Sequence, residues 1–345
     1  RFDLEIEEDL IEEVARIYGF ERIPAKPPQA VANFLPSRET WRSNHELRRL
    51  VNARGYQEVI NFSFVDAAWE ADFTRNAQPI KLLNPMSSNM AVMRSMMIGS
   101  LVDKLKHNLS HKAERVRLFE LGKSFTRSDK VADGPMSVAG IEQHLHLAGL
   151  AYGSVAPEQW GQAARVVDFY DVKADVEAML KGLDIVFEVS DYPAFHPGRC
   201  ARITLGGMPI AYLGELHPRW VQKYELPLAP IVFEIDVHAI NQVPLGRYQE
   251  VAKYPAVARD LALIVDNSVT HEQVKSVLWK AAGPLTREIN LFDVFKGGNI
   301  SSSQKSLAFR IVMQDFERTL TDADSEQEMQ VLLAAAESTL NAKRR

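Results

Sequence analysis

The chain has 345 residues, 46% of them hydrophobic, enough for two or three domains with sizeable cores. A formal charge of −5 gives no general attraction for nucleic acid, so any RNA contact must come from a local basic patch. A lone cysteine, Cys200, excludes an intramolecular disulfide framework and a thiolate zinc site and reads as a small buried hydrophobe; no apolar run reaches the roughly 18 residues of a membrane span, no signal-peptide succession is present, and a soluble cytoplasmic protein is expected.

At the start, Phe2, Leu4 and Ile6 alternate with Asp3 and Glu5, the period of a half-buried strand. A helix then opens at Asp9 or its neighbour, with Leu10, Val14, Ile17 and Tyr18 at helical spacing and Gly19 as its stop. Asp9, Glu12 and Glu13 stand at i, i+3 and i+4, so they share one helix face, and Asp3 can converge on them from the strand. Four hard oxygen donors suit Mg²⁺. Periodicity alone favours the plainer reading, an acidic face turned to solvent. The chain lacks an initiator Met and Arg1 begins inside the strand pattern, so a piece of something longer is expected.

Pro24, Pro27, Pro28 and Pro36 make residues 21–36 a linker. Ser37 can then cap a helix running to about residue 54, with Trp41, Leu47, Leu50 and Val51 inward and Gly55 beyond its end. Residues 58–65 read as a strand. The loop 83–88 leads into a Met-rich helix through about residue 111, where Met86, Met90, Met93, Met96 and Met97 form a soft apolar cluster for the core or a partner. Strands follow at 115–125 and up to 149–153, then a helix at 170–182. Gly206-Gly207 joins strands 201–205 and 209–214 in a tight hairpin. An antiparallel sheet flanked by helices is expected. The last block reads strand 260–265, helix 270–282, strand 289–295, strand 304–314 and helix 321–340, a β-α-β-β-α order one strand short of a ferredoxin-like fold. The domains are therefore placed at 1–36, 37–250 and 251–345.

Arg1-Phe2-Asp3, the run Glu8-Asp9-Leu10-Ile11-Glu12-Glu13-Val14-Ala15-Arg16-Ile17-Tyr18-Gly19-Phe20, and Ile23-Pro24 closely resemble the magnesium-binding segment of the bacterial phenylalanyl-tRNA synthetase beta subunit family. Gly55-Tyr56-Gln57-Glu58-Val59, Met93-Arg94-Ser95, Arg117-Leu118-Phe119-Glu120-Leu121-Gly122, His196-Pro197-Gly198 and Gly214-Glu215-Leu216-His217-Pro218 look like that family's core. Tyr254-Pro255, Arg259-Asp260, Phe292-Asp293-Val294-Phe295, Lys305-Ser306-Leu307 and Arg318-Thr319-Leu320 look like its anticodon-binding domain. The resemblance implies an α+β chain: a class II synthetase-like antiparallel core that no longer catalyses, then a ferredoxin-fold domain. It implies that Asp3, Asp9, Glu12 and Glu13 bind a Mg²⁺ shared with an alpha subunit. It further implies an alpha2beta2 ligase in which alpha binds ATP and phenylalanine and charges tRNA(Phe). The tail Asn341-Ala342-Lys343-Arg344-Arg345 departs from the family's closing strand and leaves the fourth strand open.

Catalytic signatures are missing. There is no G-x-x-x-x-G-K-[ST] loop, no G-x-G-x-x-G after a strand, and no glycine-rich run ending in an arginine that could hold bent ATP. Arg117 and Glu120 are better read as a locally paired structural set, and the fragment alone is expected to be inactive. His107 and His111 have the spacing of a zinc pair but no third ligand, and His196 and His217, each before a proline, read as loop anchors. For tRNA, Arg259, Lys305, Arg310 and Arg318 are the candidate phosphate contacts, with Arg287 nearby. Phe292, Phe295 and Phe316 could stack unpaired bases, but filling the covered face of the sheet is the reading preferred here. The alternatives are a free-standing RNA-binding or subunit-assembly module and a self-contained ATP-using enzyme.

Overall fold

The computed structural model describes residues 2–30, 38–248, 250–298 and 300–345. Residues 2–6 form a turn and irregular backbone, so the expected N-terminal strand is not there. Alternation needs a neighbouring strand to become a ladder. The Glu5 and Ile6 N–H groups donate instead to Asp9 Oδ2, at 2.9 and 3.1 Å. Helix α1, Glu7–Tyr18, therefore opens two residues before Asp9, and none of its residues is buried.

Helix α2 is Asn44–Ala53, shorter than expected, because Ser43 caps it by accepting the Glu46 N–H. The Ser37 cap lies outside the described residues. Leu47 and Val51 are fully buried, whereas Trp41 precedes the helix, half exposed, in a bridge to Gln242. The expected strand 58–65 is split into β1, Gln57–Glu58, and β2, Phe64–Val65. Helix α3, Ala67–Phe73, follows, and β3, Val92–Met93, pairs with β2. The five methionines do not share the expected α-helix: Met90 ends a short 3-10 turn and Met93 lies in β3. Met86 is exposed in a loop, Met96 and Met97 are buried, and helix α4 begins only at Ile98 and runs to Ser110.

The framework is a seven-stranded sheet. Its members are β1, β4 (Val116–Arg127), β5 (Ile141–Tyr152), β6 (Ile185–Val189), β7 (Phe195–Leu205), β8 (Met208–Leu216) and β9 (Ile231–Asp236). Helices α5 (Phe169–Met179), α6 (Pro218–Lys223) and α7 (Val237–Ile240) complete this unit. The order is β1-β4-β5-β9-β8-β7-β6, antiparallel except for the β1/β4 pair. Gly206 and Gly207 take φ of 58° and 80°, the positive pair a two-residue hairpin requires. Residues alternate between two helical layers. Phe119, Leu147 and Phe233 pack with α2 and α5 on one face, and Leu118, Leu150 and Val232 with α4 on the other.

Contacts divide the chain at Gly246 and Arg247. The second unit contains β10 (Val257–Asp266), α8 (His271–Ala281), β11 (Thr286–Phe295), β12 (Gln304–Met313), α9 (Asp322–Leu340) and β13 (Lys343–Arg344). Its sheet order is β11-β12-β10-β13. The two-residue β13 pairs with β10 and supplies the fourth strand, so the fold is β-α-β-β-α-β, one strand beyond the expected order. The core lies between sheet and helices: Leu261, Leu263, Phe309 and Ile311 meet Val274, Leu278 and Leu332.

Candidate nucleic-acid interface and acidic segment

The acidic segment gathers no metal cage. Among the described residues no group of three or more His, Cys, Asp or Glu side chains could hold a metal ion. Asp9 is engaged as a cap, and the two backbone donors hold its carboxyl below the usual carboxylate range. Glu13 accepts from Arg16 at 2.7 Å. Asp3 lies in the turn and Glu12 on the helix, so the residues present have donor chemistry that fits Mg²⁺ but not the convergence. On the other side of α1, Leu10, Ile11, Val14 and Ile17 are exposed.

The second unit offers a different surface. Its sheet turns Leu307, Phe309, Ile311 and Met313 of β12 inward, which leaves Ala308, Arg310 and Val312 on the face away from the helices. Ala258, Asp260 and Ala262 continue that face on β10, and the small side chains keep it flat. A bulge between Leu291 and Asp293 on β11 turns out Phe292, which is 53% exposed with the Arg310 guanidinium 5.1 Å from its ring centre. Arg345 lies 4.8 Å from the Phe295 ring, and Arg287 4.4 Å from that of Phe316. All three phenylalanines are more than a third exposed, so they do not fill the covered face, contrary to the preferred sequence reading. Each aromatic ring has a cation on it, a pairing the sequence did not disclose.

The candidate cations do not form one patch. Arg310 donates to both oxygens of Asp260 at 2.9 Å, and this pair holds Asp260 below the usual carboxylate range. Arg259 reaches Asp322 at 2.7 Å, and Arg318 forks onto Asp324 at 2.6 and 2.8 Å, both in the first turn of α9. Arg318 with Thr321 depresses Asp324 strongly. Lys305 donates to the Asn267 carbonyl at 3.1 Å, and burial, with Lys296 beside it, lowers its pKa. Of the four, only Arg310 stands on the open face. The arginine pairs are solvent-exposed and screened by water, so a phosphate could replace the carboxylate at small cost.

In the large unit, Arg117 and Glu120 are buried ion-pair members. Arg117 donates to Asp175 at 2.8 Å, where Arg54 and the Tyr56 hydroxyl also converge. Glu120 receives both Nη atoms of Arg94, at 3.1 and 2.8 Å, and Asn61 Nδ2 at 2.7 Å. His111 Nδ1 lies 2.8 Å from the His107 carbonyl. His217 caps α6 through Nδ1, and His196 Nδ1 accepts the Gly198 N–H. Cys200 is buried, and burial pushes its thiol up to about 12.

A family model for the phenylalanyl tRNA synthetase beta chain CLM domain matches residues 23–237, and one for the ferredoxin-fold anticodon binding domain matches residues 252–345. The chain is 52% identical to the phenylalanine–tRNA ligase beta subunit of Ralstonia nicotianae over its whole length, covering 44% of that protein. It is 48% identical to the corresponding subunit of Dechloromonas aromatica, again over its whole length and 43% of the relative. The chain thus spans less than half of these curated relatives. A pyrrolysyl tRNA synthetase of Desulfitobacterium hafniense overlays with a TM-score of 0.42 and 12% identity, over 57% of this chain and 63% of that one.

Proposed function

Because the chain belongs to the phenylalanine–tRNA ligase beta subunit family, we propose that it forms a non-catalytic part of that ligase. In this reading the large unit packs against an alpha subunit and supports its active site, where ATP and phenylalanine bind, and the second unit binds tRNA(Phe) in the cytoplasm. What carries the reading is residues 252–345, which match an anticodon-binding family and present a flat sheet face rimmed by Phe292, Phe295 and Arg310. Such a face offers rings for unpaired bases and cations for the backbone, and stacking is worth about 1–3 kcal/mol per base. The buried ion pairs of Arg117 with Asp175 and of Arg94 with Glu120 support inactivity of the chain alone, since they leave neither arginine available for a phosphate.

Mixing the chain with an alpha subunit, then following co-elution and phenylalanylation of tRNA(Phe), tests this. A stable complex that charges tRNA, with no charging by the chain alone, is expected. Absence of co-elution would sink the assembly claim, and charging by the chain alone would overturn the non-catalytic one.

Mg²⁺ is the further part of the proposal. Asp3, Asp9, Glu12 and Glu13 would hold it once Asp9 released the Glu5 and Ile6 amides, and the ion would supply a fixed positive charge to the assembly. Glu12→Gln should weaken Mg²⁺ binding in a calorimetric titration of the alpha mixture. An unchanged isotherm would return that helix face to solvent.

A further inference from the structure

Apart from any tRNA or alpha-subunit role, the large sheet holds a cavity of about 300 Å³. It lies where the even-numbered positions of β4, β5 and β9 change character along the strands. Leu118, Leu150 and Val232 belong to the core with α4, whereas Ser124, His146, Glu234 and Asp236 line the hollow. Glu234 is 5% exposed, a carboxylate already taken out of water. Its Oε2 accepts the Met97 N–H at 2.9 Å, and its Oε1 holds His146 Nδ1 at 2.8 Å. Ser124 Oγ stands 3.2 Å from the same nitrogen. With Nδ1 fixed on both sides, Nε2 of His146 is left without a partner among the described residues. His144 stacks parallel to His146, ring centres 5.9 Å apart. Tyr192 and Tyr212, 4.7 Å apart, and Met96 add an aromatic and apolar wall.

The field in this hollow is negative. Glu234 and Asp236 line it, Glu142 stands 3.6 Å from His144, and Glu70 is held behind Ser95. Of the neighbouring cations, Arg94 is paired with Glu120, while Arg75, held on the Asp191 carbonyl with its guanidinium over the Tyr192 ring, is one positive charge against these four carboxylates. Even a protonated His146 offsets one carboxylate of the set. An anion would face the lining carboxylates, and a plain hydrocarbon would leave the polar lining unmatched.

We propose that this cavity binds a small organic cation, a primary ammonium group carried on an aromatic body, with the ammonium toward Glu234 and Asp236 and the ring against the tyrosines. Phenethylamine is the probe, and phenylacetate, of similar shape and opposite charge, is its control. Titration of the 345-residue chain, read by calorimetry and ligand-observed NMR, should show phenethylamine binding and none for phenylacetate. Glu234→Gln should weaken phenethylamine about tenfold or more. Thr126→Trp, a large ring placed at a half-buried lining position that leaves Glu234 and His146 intact, should abolish it. Absence of phenethylamine binding, equal binding of phenylacetate, or a Thr126→Trp chain that titrates like the unmodified one would overturn the proposal.

Discussion

At Gly153 the backbone takes φ of 81°, and a Cβ added there would stand 2.0 Å from the Glu114 carbonyl oxygen. Backbone strain and a clash with main chain then act together, so Gly153→Ala should cost about 3 kcal/mol, read as a lower urea midpoint at unchanged slope. His146 gives a test in pH. Burial by itself would lower its pKa, but the hydrogen bond and charge of Glu234, with Asp236, outweigh burial and raise it. A histidine raised on folding adds stability that is full below its unfolded value near about 6.5 and is lost as pH climbs through the folded value. The stability advantage of the unmodified chain over His146→Gln should therefore shrink in urea titrations carried from about pH 6 upward. Sequence reasoning saw Glu120 as a locally paired charge but could not name Arg94, which lies 26 residues away and is 1% exposed. Nor did it single out His144 and His146, although two histidines at i and i+2 on a strand must share a face.

Among the elements, helices whose ends carry their own chemistry were legible and short strands were not. Thr321 opens α9 with a reciprocal cap: its hydroxyl accepts the Asp324 N–H, and its own N–H donates to Asp324 Oδ2 at 2.9 Å. Such a box is written in adjacent residues, as is the Thr270 cap of α8. Thr321→Ala should lower the melting of the second unit by the equivalent of about 1 kcal/mol, followed by circular dichroism. Period-2 alternation over residues 2–6 misled because a strand exists only with a partner, and the amides concerned were captured by Asp9. The two residues of β13 carry no periodicity of their own. Only their pairing with Leu263 and Ile264 makes them a strand.

For the molecule as a whole, the second unit was the easier to read because its order of elements is short and regular, whereas the large sheet joins strands distant in sequence. That unit has its own buried core around Phe309, Leu332 and Ala336. Residues 247–345 expressed alone should unfold in a single cooperative urea transition; a sloping, non-cooperative profile would show that the core needs the rest of the chain. The order of the large sheet has a different kind of consequence, in synthesis. The β4/β5 and β7/β8 hairpins are each complete before β9 exists, yet β9 is the strand that lies between β5 and β8. While a ribosome is still making the chain, both hairpins hold an open edge with unpaired N–H and C=O groups, until Ile231–Asp236 emerges to fill the gap. Ribosome pausing shortly before that strand would prolong the interval in which two nascent copies can join edge to edge.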